Sequence, residues 1–185
     1  MIRIAGLVAV LLLGGCAATV QTASSSSSAL PSAPSSALPS ASPLPSSAAC
    51  RRTSGLTVTL GREEAGATHR SVRLVFTNTG TAPCRTKGYP GVDALDAGGA
   101  RVGRAERTLG GYLGGPRVVQ PVTIPAGGRV SALVEGSAAP ADGSSCTGYA
   151  KLLVTAPDDT ESTTLPWDTD TCVDLQVHPV EAGGA

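Results

Sequence analysis

Five cysteines and two histidines hold most of the covalent and acid–base chemistry open to this chain of 185 residues. Cys16 stands apart by its setting. It closes the tetrapeptide Leu13-Gly14-Gly15-Cys16, directly behind an apolar run at residues 4–13 that follows Arg3. A short apolar run with one positive charge before it and small residues at its exit reads as a secretory leader. It falls short of the ~20 apolar residues that a membrane-crossing helix needs. A Leu, two small residues and a Cys at that exit match a lipobox. Cleavage is therefore expected between Gly15 and Cys16, with residues 1–15 as the lipoprotein signal peptide and the Cys16 thiol carrying a diacylglyceryl group. Each buried methylene of an acyl chain contributes ~0.8 kcal/mol, so two or three palmitate-length chains hold a protein on a membrane almost permanently.

Cys50, Cys84, Cys146 and Cys172 remain, an even set in a chain read as exported. Such a set implies two disulfides, with three connectivities open. Cys50–Cys84 and Cys146–Cys172 are favoured, because each of these pairs would staple neighbouring strands. Loops of this size restrict the unfolded chain by roughly 3.5–4 kcal/mol each on the chain-entropy account. Zinc is the rival use of four cysteines, but it favours close C-x-x-C pairs. None is present, so no metal is expected.

The inventory for catalysis is poor. His69 and His178 are the two histidines, and no Gly-x-Ser-x-Gly, Ser-x-x-Lys or His-Glu-x-x-His pattern accompanies them. His178 alternates with Asp174 and Gln176, which reads as a solvent-facing position rather than a member of a Ser/His/Asp triad. No catalytic residue and no cofactor is assigned. Asp168-Thr169-Asp170 with Asp174 spaces carboxylates as calcium loops do, yet it lacks the mid-loop Gly and the closing Glu. It reads as a solvated loop beside Trp167. The glycine pairs Gly110-Gly111 and Gly114-Gly115 could bring backbone amides to a ligand. Without a Lys-Ser/Thr and a following helix they make no P-loop, and they read as a mobile hairpin loop presenting Tyr112. Gly88-Tyr89-Pro90-Gly91 reads as a tight turn with a packed Tyr and a candidate cis bond before Pro90. Tyr89, Tyr112 and Trp167 are the candidate ligand or partner contacts.

These residues must be positioned by a chain of small side chains: 23 Gly and 14 Pro against one Phe, one Trp and one Met. Residues 17–49 have no charge, twelve Ser and five Pro. That composition cannot bury enough apolar area to offset its ordering entropy. With Cys16 it forms a lipid-anchored, disordered Ser/Pro/Ala-rich linker over residues 16–49, reaching from roughly 30 Å as a coil to ~100 Å if stiffened by proline. From residue 50 the pattern changes to alternation with period two. Leu56, Val58 and Leu60 share one face, as do Val72, Leu74 and Phe76, and Val130, Ala132 and Val134. Shorter runs lie at 92–95, 118–124 (interrupted by Pro121), 152–154 and 173–177. Turn signals separate them, and no helical stripe appears. Residues 50–185 are therefore expected to be one all-β domain, an immunoglobulin-like antiparallel β-sandwich of seven or eight strands.

From Cys50 onward the chain resembles an actinobacterial family of exported lipoproteins that share a domain of unknown function, DUF4232. The resemblance is carried by Cys50 to Leu60, by the stretch Leu74 to Gly80 ending in Asn78-Thr79-Gly80, and by Cys84 followed by Gly88-Tyr89-Pro90-Gly91-Val92. Val122-Thr123-Ile124-Pro125-Ala126-Gly127-Gly128 and the two C-terminal cysteines also fit. It spans nearly all of residues 50–181, implies a β-sandwich on the cell surface and supplies no activity. Residues 104–117 look like a variable insert.

The formal charge is zero, which argues against a nucleic-acid partner. Basic groups nevertheless crowd residues 50–129, twelve against five acidic, whereas residues 130–185 hold one against nine. Clustered arginines would suit an anionic cell-wall polymer; pairing between the halves would cancel them. The leading expectation is a non-catalytic lipoprotein on the extracytoplasmic face of the cell membrane, its stapled domain binding a wall polymer or an envelope protein. The alternatives are a solute- or signal-binding lipoprotein with a pocket between Tyr89 and residues 109–116, and an envelope hydrolase.

Overall fold

The computed structural model describes residues 47–139 and 143–183. The leader, Cys16 and nearly all of the linker lie outside the described residues. The strands in chain order are β1 (Ala48–Ala49), β2 (Leu56–Gly66), β3 (His69–Asn78), β4 (Cys84–Thr86), β5 (Gly91–Leu95), β6 (Arg101–Arg104) and β7 (Glu106–Arg107). They continue with β8 (Val122–Ile124), β9 (Arg129–Ser137), β10 (Lys151–Thr155), β11 (Ser162–Pro166), β12 (Gln176–Val177) and β13 (Glu181–Ala182). A single 3₁₀ turn, Arg52–Ser54, precedes β2. The domain is all-β, and among the described residues no helix is long and apolar enough to cross a membrane.

The strands form three sheets. In the largest, β3 lies between β2 and β9, β12 follows β9, and β7 closes the edge in parallel with β12. β13 pairs with the start of β9. A second sheet has the order β11-β10-β5-β6, and a third the order β1-β4-β8. Alternation decides the faces. Leu56 and Val58 on β2, Val72, Leu74 and Phe76 on β3, and Val130, Ala132 and Val134 on β9 all point to one buried cluster. Val92, Ala94, Leu152 and Val154 from the second sheet join the same cluster, as do Ile124, Leu175 and Val177. Each fully buried Val, Leu or Phe contributes roughly 1.5–3 kcal/mol, which lets a core with Phe76, Tyr149 and Trp167 as its aromatics hold.

Three expectations about strands need correction. In place of seven or eight antiparallel strands, the described residues form thirteen, many of them two or three residues long, with β1–β4 and β7–β12 paired in parallel. Of residues 118–124 only Val122–Ile124 is strand, since Pro121 cannot donate to a ladder. Of residues 173–177 only Gln176–Val177 pairs. The strands β1, β4, β6, β7, β11 and β13 give no apolar alternation to read, being very short or, for β11, a polar edge strand with alternate residues exposed.

Both favoured disulfides are present. Cys50 and Cys84 have Cα atoms 4.9 Å apart, and Cys146 and Cys172 5.0 Å. The first bridge does not close the β2–β3 hairpin; it fastens the segment after β1 to β4, where Cys50 N–H also donates to Arg85 O at 2.9 Å. The turn motifs bond to one another. Asn78 is buried, and its amide donates to the carbonyls of Ala82 (2.9 Å) and Ile124 (3.0 Å). Gly127 N–H donates to Asn78 O at 2.8 Å. Gly88 O accepts from Val180 N–H at 2.9 Å, and the bond before Pro90 is trans rather than cis.

Candidate functional site

The largest sheet has a second face, opposite the apolar cluster, and period two assigns Ser71, Glu135 and Gln176 to it. They stand directly opposite one another on β3, β9 and β12. The row continues to Glu64 on β2 and Glu106 on β7. A sequence reading leaves such a face in water. The segment joining β7 to β8, residues 108–121, instead crosses it and buries its centre.

Glu135 and His178 are both fully buried there. His178 Nε2 lies 2.8 Å from Glu135 Oε1. Tyr112 N–H donates to the same oxygen at 2.9 Å, and Leu113 N–H donates to Oε2 at 2.8 Å. Burial alone would raise the Glu135 carboxyl. The bond from His178, the two backbone amides and the His178 charge outweigh it and hold the group below the ordinary carboxylate value. An ionised carboxylate only accepts, so Nε2 carries the proton in this bond. The other ring nitrogen, Nδ1, has no hydrogen-bond partner among the described residues and faces Gly115.

Glycine is required at two points of this clamp. A Cβ on Gly111 would lie 1.7 Å from Glu135 Oε1, and one on Gly115 would lie 2.1 Å from His178 Nδ1. Gly111 also has φ +75°, which disfavours side chains. Thr108 N–H to Val177 O (3.0 Å) and His178 N–H to Leu133 O (2.9 Å) tie both feet of the arrangement to the sheet. The ring of Tyr112 stacks on His69 at 4.1 Å with 18° between the planes.

Several expectations change here. His178 is not a surface residue, because the loop covers the face to which it alternates. The segment around Tyr112 is a clamped loop rather than a free one, although Tyr112 is indeed presented. Trp167 is a core residue, tilted against Tyr149 at 5.7 Å. Tyr149 bonds Thr171 Oγ1, and burial pushes its hydroxyl up. Tyr89 is half-buried, with the Arg107 guanidinium 5.8 Å above its ring. Glu135 escapes sequence reasoning altogether; the two glycine pairs are the only signal that a close approach occurs nearby.

The clamp leaves apolar side chains outside. Among the described residues the exposed large hydrophobics are Leu109, Tyr112, Leu113 and Val118, between 41% and 56% exposed, all on this one loop. Beside it runs an open groove of about 460 Å³, lined by residues 116–118 and 120–123 and by Val180, Glu181 and Ala182. Tyr89 is not on its wall. A larger depression of about 630 Å³ on the second sheet contains Asp93, Arg101 and Lys151. Its charges are engaged: Asp93 binds Arg104 at 2.7 Å and Arg101 at 3.5 Å, and Lys151 donates to Ala97 O at 2.9 Å.

The arrangement defines a disulfide-stapled all-β domain that holds one apolar loop on a buried Glu–His pair. Residues 50–181 match the domain of unknown function DUF4232, and the chain belongs to that family. No curated protein shows significant similarity to the chain.

Proposed function

We propose that the chain is an exported lipoprotein anchored through Cys16, with residues 17–49 as spacer. Its stapled domain, an immunoglobulin-like sandwich in overall plan, then acts as a non-catalytic binding or structural module on the outer face of the cell membrane. One observation carries the reading. The exposed large apolar side chains of the described residues gather on a single loop whose backbone is pinned from beneath by Glu135 and His178. Pinning removes in advance the ordering entropy that a free loop loses on binding. An apolar patch on an otherwise polar surface is a contact surface. A hydrolase would need a nucleophile beside His178, whereas its ring nitrogens face Glu135 and Gly115. The partner on this reading is an envelope protein or a wall polymer met through this loop.

A photo-crosslinking residue at Tyr112 tests the reading in native membranes. The expected result is one discrete adduct, lost when Leu109 and Leu113 are both changed to Ser. An identical adduct from a probe at Thr164, on β11, would show that capture does not depend on the loop.

A further inference from the structure

The groove beside the loop has a composition of its own. Pro116, Val118, Pro121 and Val180 give it apolar walls, and Arg117 stands among them. Its volume of about 460 Å³ lies within the range of small-molecule clefts, roughly 300–1,000 Å³. Its one carboxylate, Glu181, is engaged by Arg73 at 2.9 Å. Arg117 has no ion-pair partner among the described residues. The cationic side is extended from β4. Arg85 stands directly opposite Thr123, a groove residue, and Lys87 shares with Pro121 a depression that adjoins the groove. Neither has an ion-pair partner among the described residues. Asp158 is the one acid that lines that depression, and it does not line the groove itself.

Apolar walls call for an alkyl chain, and unpaired cations at the rim call for an anion. We propose that the groove binds one anionic amphiphile. Its chain lies along Pro116, Val118, Pro121 and Val180, and its phosphate or carboxylate group meets Arg117, with Arg85 and Lys87 adding attraction. The guanidinium is suited to this because it forks onto two oxygens of such a group. The site stands on the groove and its rim, not on partner capture by Tyr112, so a missing cross-link leaves it intact.

The test uses the full chain carrying Cys16→Ser, exported and purified with its disulfides intact, and dodecyl phosphate below its micelle concentration. Calorimetry should show saturable one-to-one binding that weakens with salt. Arg117→Glu should lower the affinity about tenfold or more, and Val118→Asp should do the same. Both positions are exposed, so both variants should fold. Dodecyltrimethylammonium binding as tightly would overturn the proposal by making the cations idle. Inorganic phosphate binding as tightly would overturn it by making the groove idle. Binding to mixed phosphatidylglycerol and phosphatidylcholine vesicles without binding of the monomer would overturn it in favour of a membrane contact at the loop.

Discussion

Glu135 binds three hydrogen-bond donors from two separate segments, and its charge makes each bond stronger than a neutral equivalent. Its carboxyl is held below the ordinary 4.5. A depressed value means that the native state favours the ionised form. The stabilisation is therefore fully present above about pH 4.5 and is lost as pH falls through the lower native value. Glu135→Gln keeps the shape but turns one acceptor into a donor facing a donor. It should cost about 1–3 kcal/mol at pH 7, and the gap to the parent should shrink under acid; urea unfolding at both pH values measures it. A gap of equal size at both would show that the carboxylate charge plays no part. The glycines beside the pair give a second check. Gly115→Ala forces a methyl into His178 and should cost about 1–3 kcal/mol. Gly114→Ala meets no atom within 4 Å at φ +76° and should cost only about 1 kcal/mol, the strain of a left-handed residue. Equal losses in thermal unfolding would mean that the loop does not press on the pair.

At the scale of elements, the loop between β7 and β8 is held because its two ends are fixed to different parts of the structure. β7 is an edge strand two residues long, paired in parallel with β12, while β8 belongs to another sheet. The crossing between them must pass over the outer face of β9 and β12, and the glycines let it lie close. The turn motifs that carry the family resemblance have a different task. Asn78 joins the end of β3 to the 124–128 turn, and Thr79 N–H and Gly55 O bond at 2.7 Å, so these residues hold sheets together. The disulfides act at the same scale. Replacing Cys50 and Cys84 together with Ala should cost about 2–5 kcal/mol, and replacing Cys146 and Cys172 together should cost as much. Denaturation midpoints that fail to move would show that the unfolded chain is already constrained by other means.

Across the whole molecule, the charge imbalance between the two stretches of sequence is partly cancelled by pairing. Arg52 meets Glu161 at 3.4 Å, Arg70 meets Asp170 at 2.7 Å and Arg73 meets Glu181 at 2.9 Å, each joining the basic stretch to the acidic one. Such solvent-accessible pairs contribute little, about 0–1 kcal/mol each, although Arg73 and Glu181 are half-buried; their effect is to leave Arg85, Lys87 and Arg117 as the uncompensated charges near the groove. The proposed placement on a membrane makes two measurable claims. Cys16→Ser should release the protein from the membrane fraction or leave it unprocessed, and recovery of an acylated membrane species would refute the lipobox. Limited proteolysis should cut within residues 20–49 and leave a resistant core starting near Cys50; cuts spread evenly past residue 50 would misplace the domain boundary.

Composition and period are local properties, and what depends on them could be read in the chain. The proposed leader and lipobox rest on residues 1–16 alone, and the proposed linker on a run of Ser and Pro, so both are proposals that Cys16→Ser and limited proteolysis test. The long strands β2, β3 and β9 declare themselves because alternate Val and Leu residues must leave water together. The two cysteine pairings could be read as staples between neighbouring segments, but the segments that the first one joins, the one after β1 and β4, could not. Alternation shows which residues share a face, but it says nothing of what covers that face. Glu135 and His178 alternate outward like any solvated residue, and a loop starting more than twenty residues before Glu135 buries them. Trp167 was equally illegible, since its burial depends on how the end of the β10–β11 pair, with Tyr149 beside it, packs into the core. Those positions were decided by tertiary structure, because only a fixed path for residues 108–121 brings two backbone amides onto one carboxylate and leaves four apolar side chains facing out.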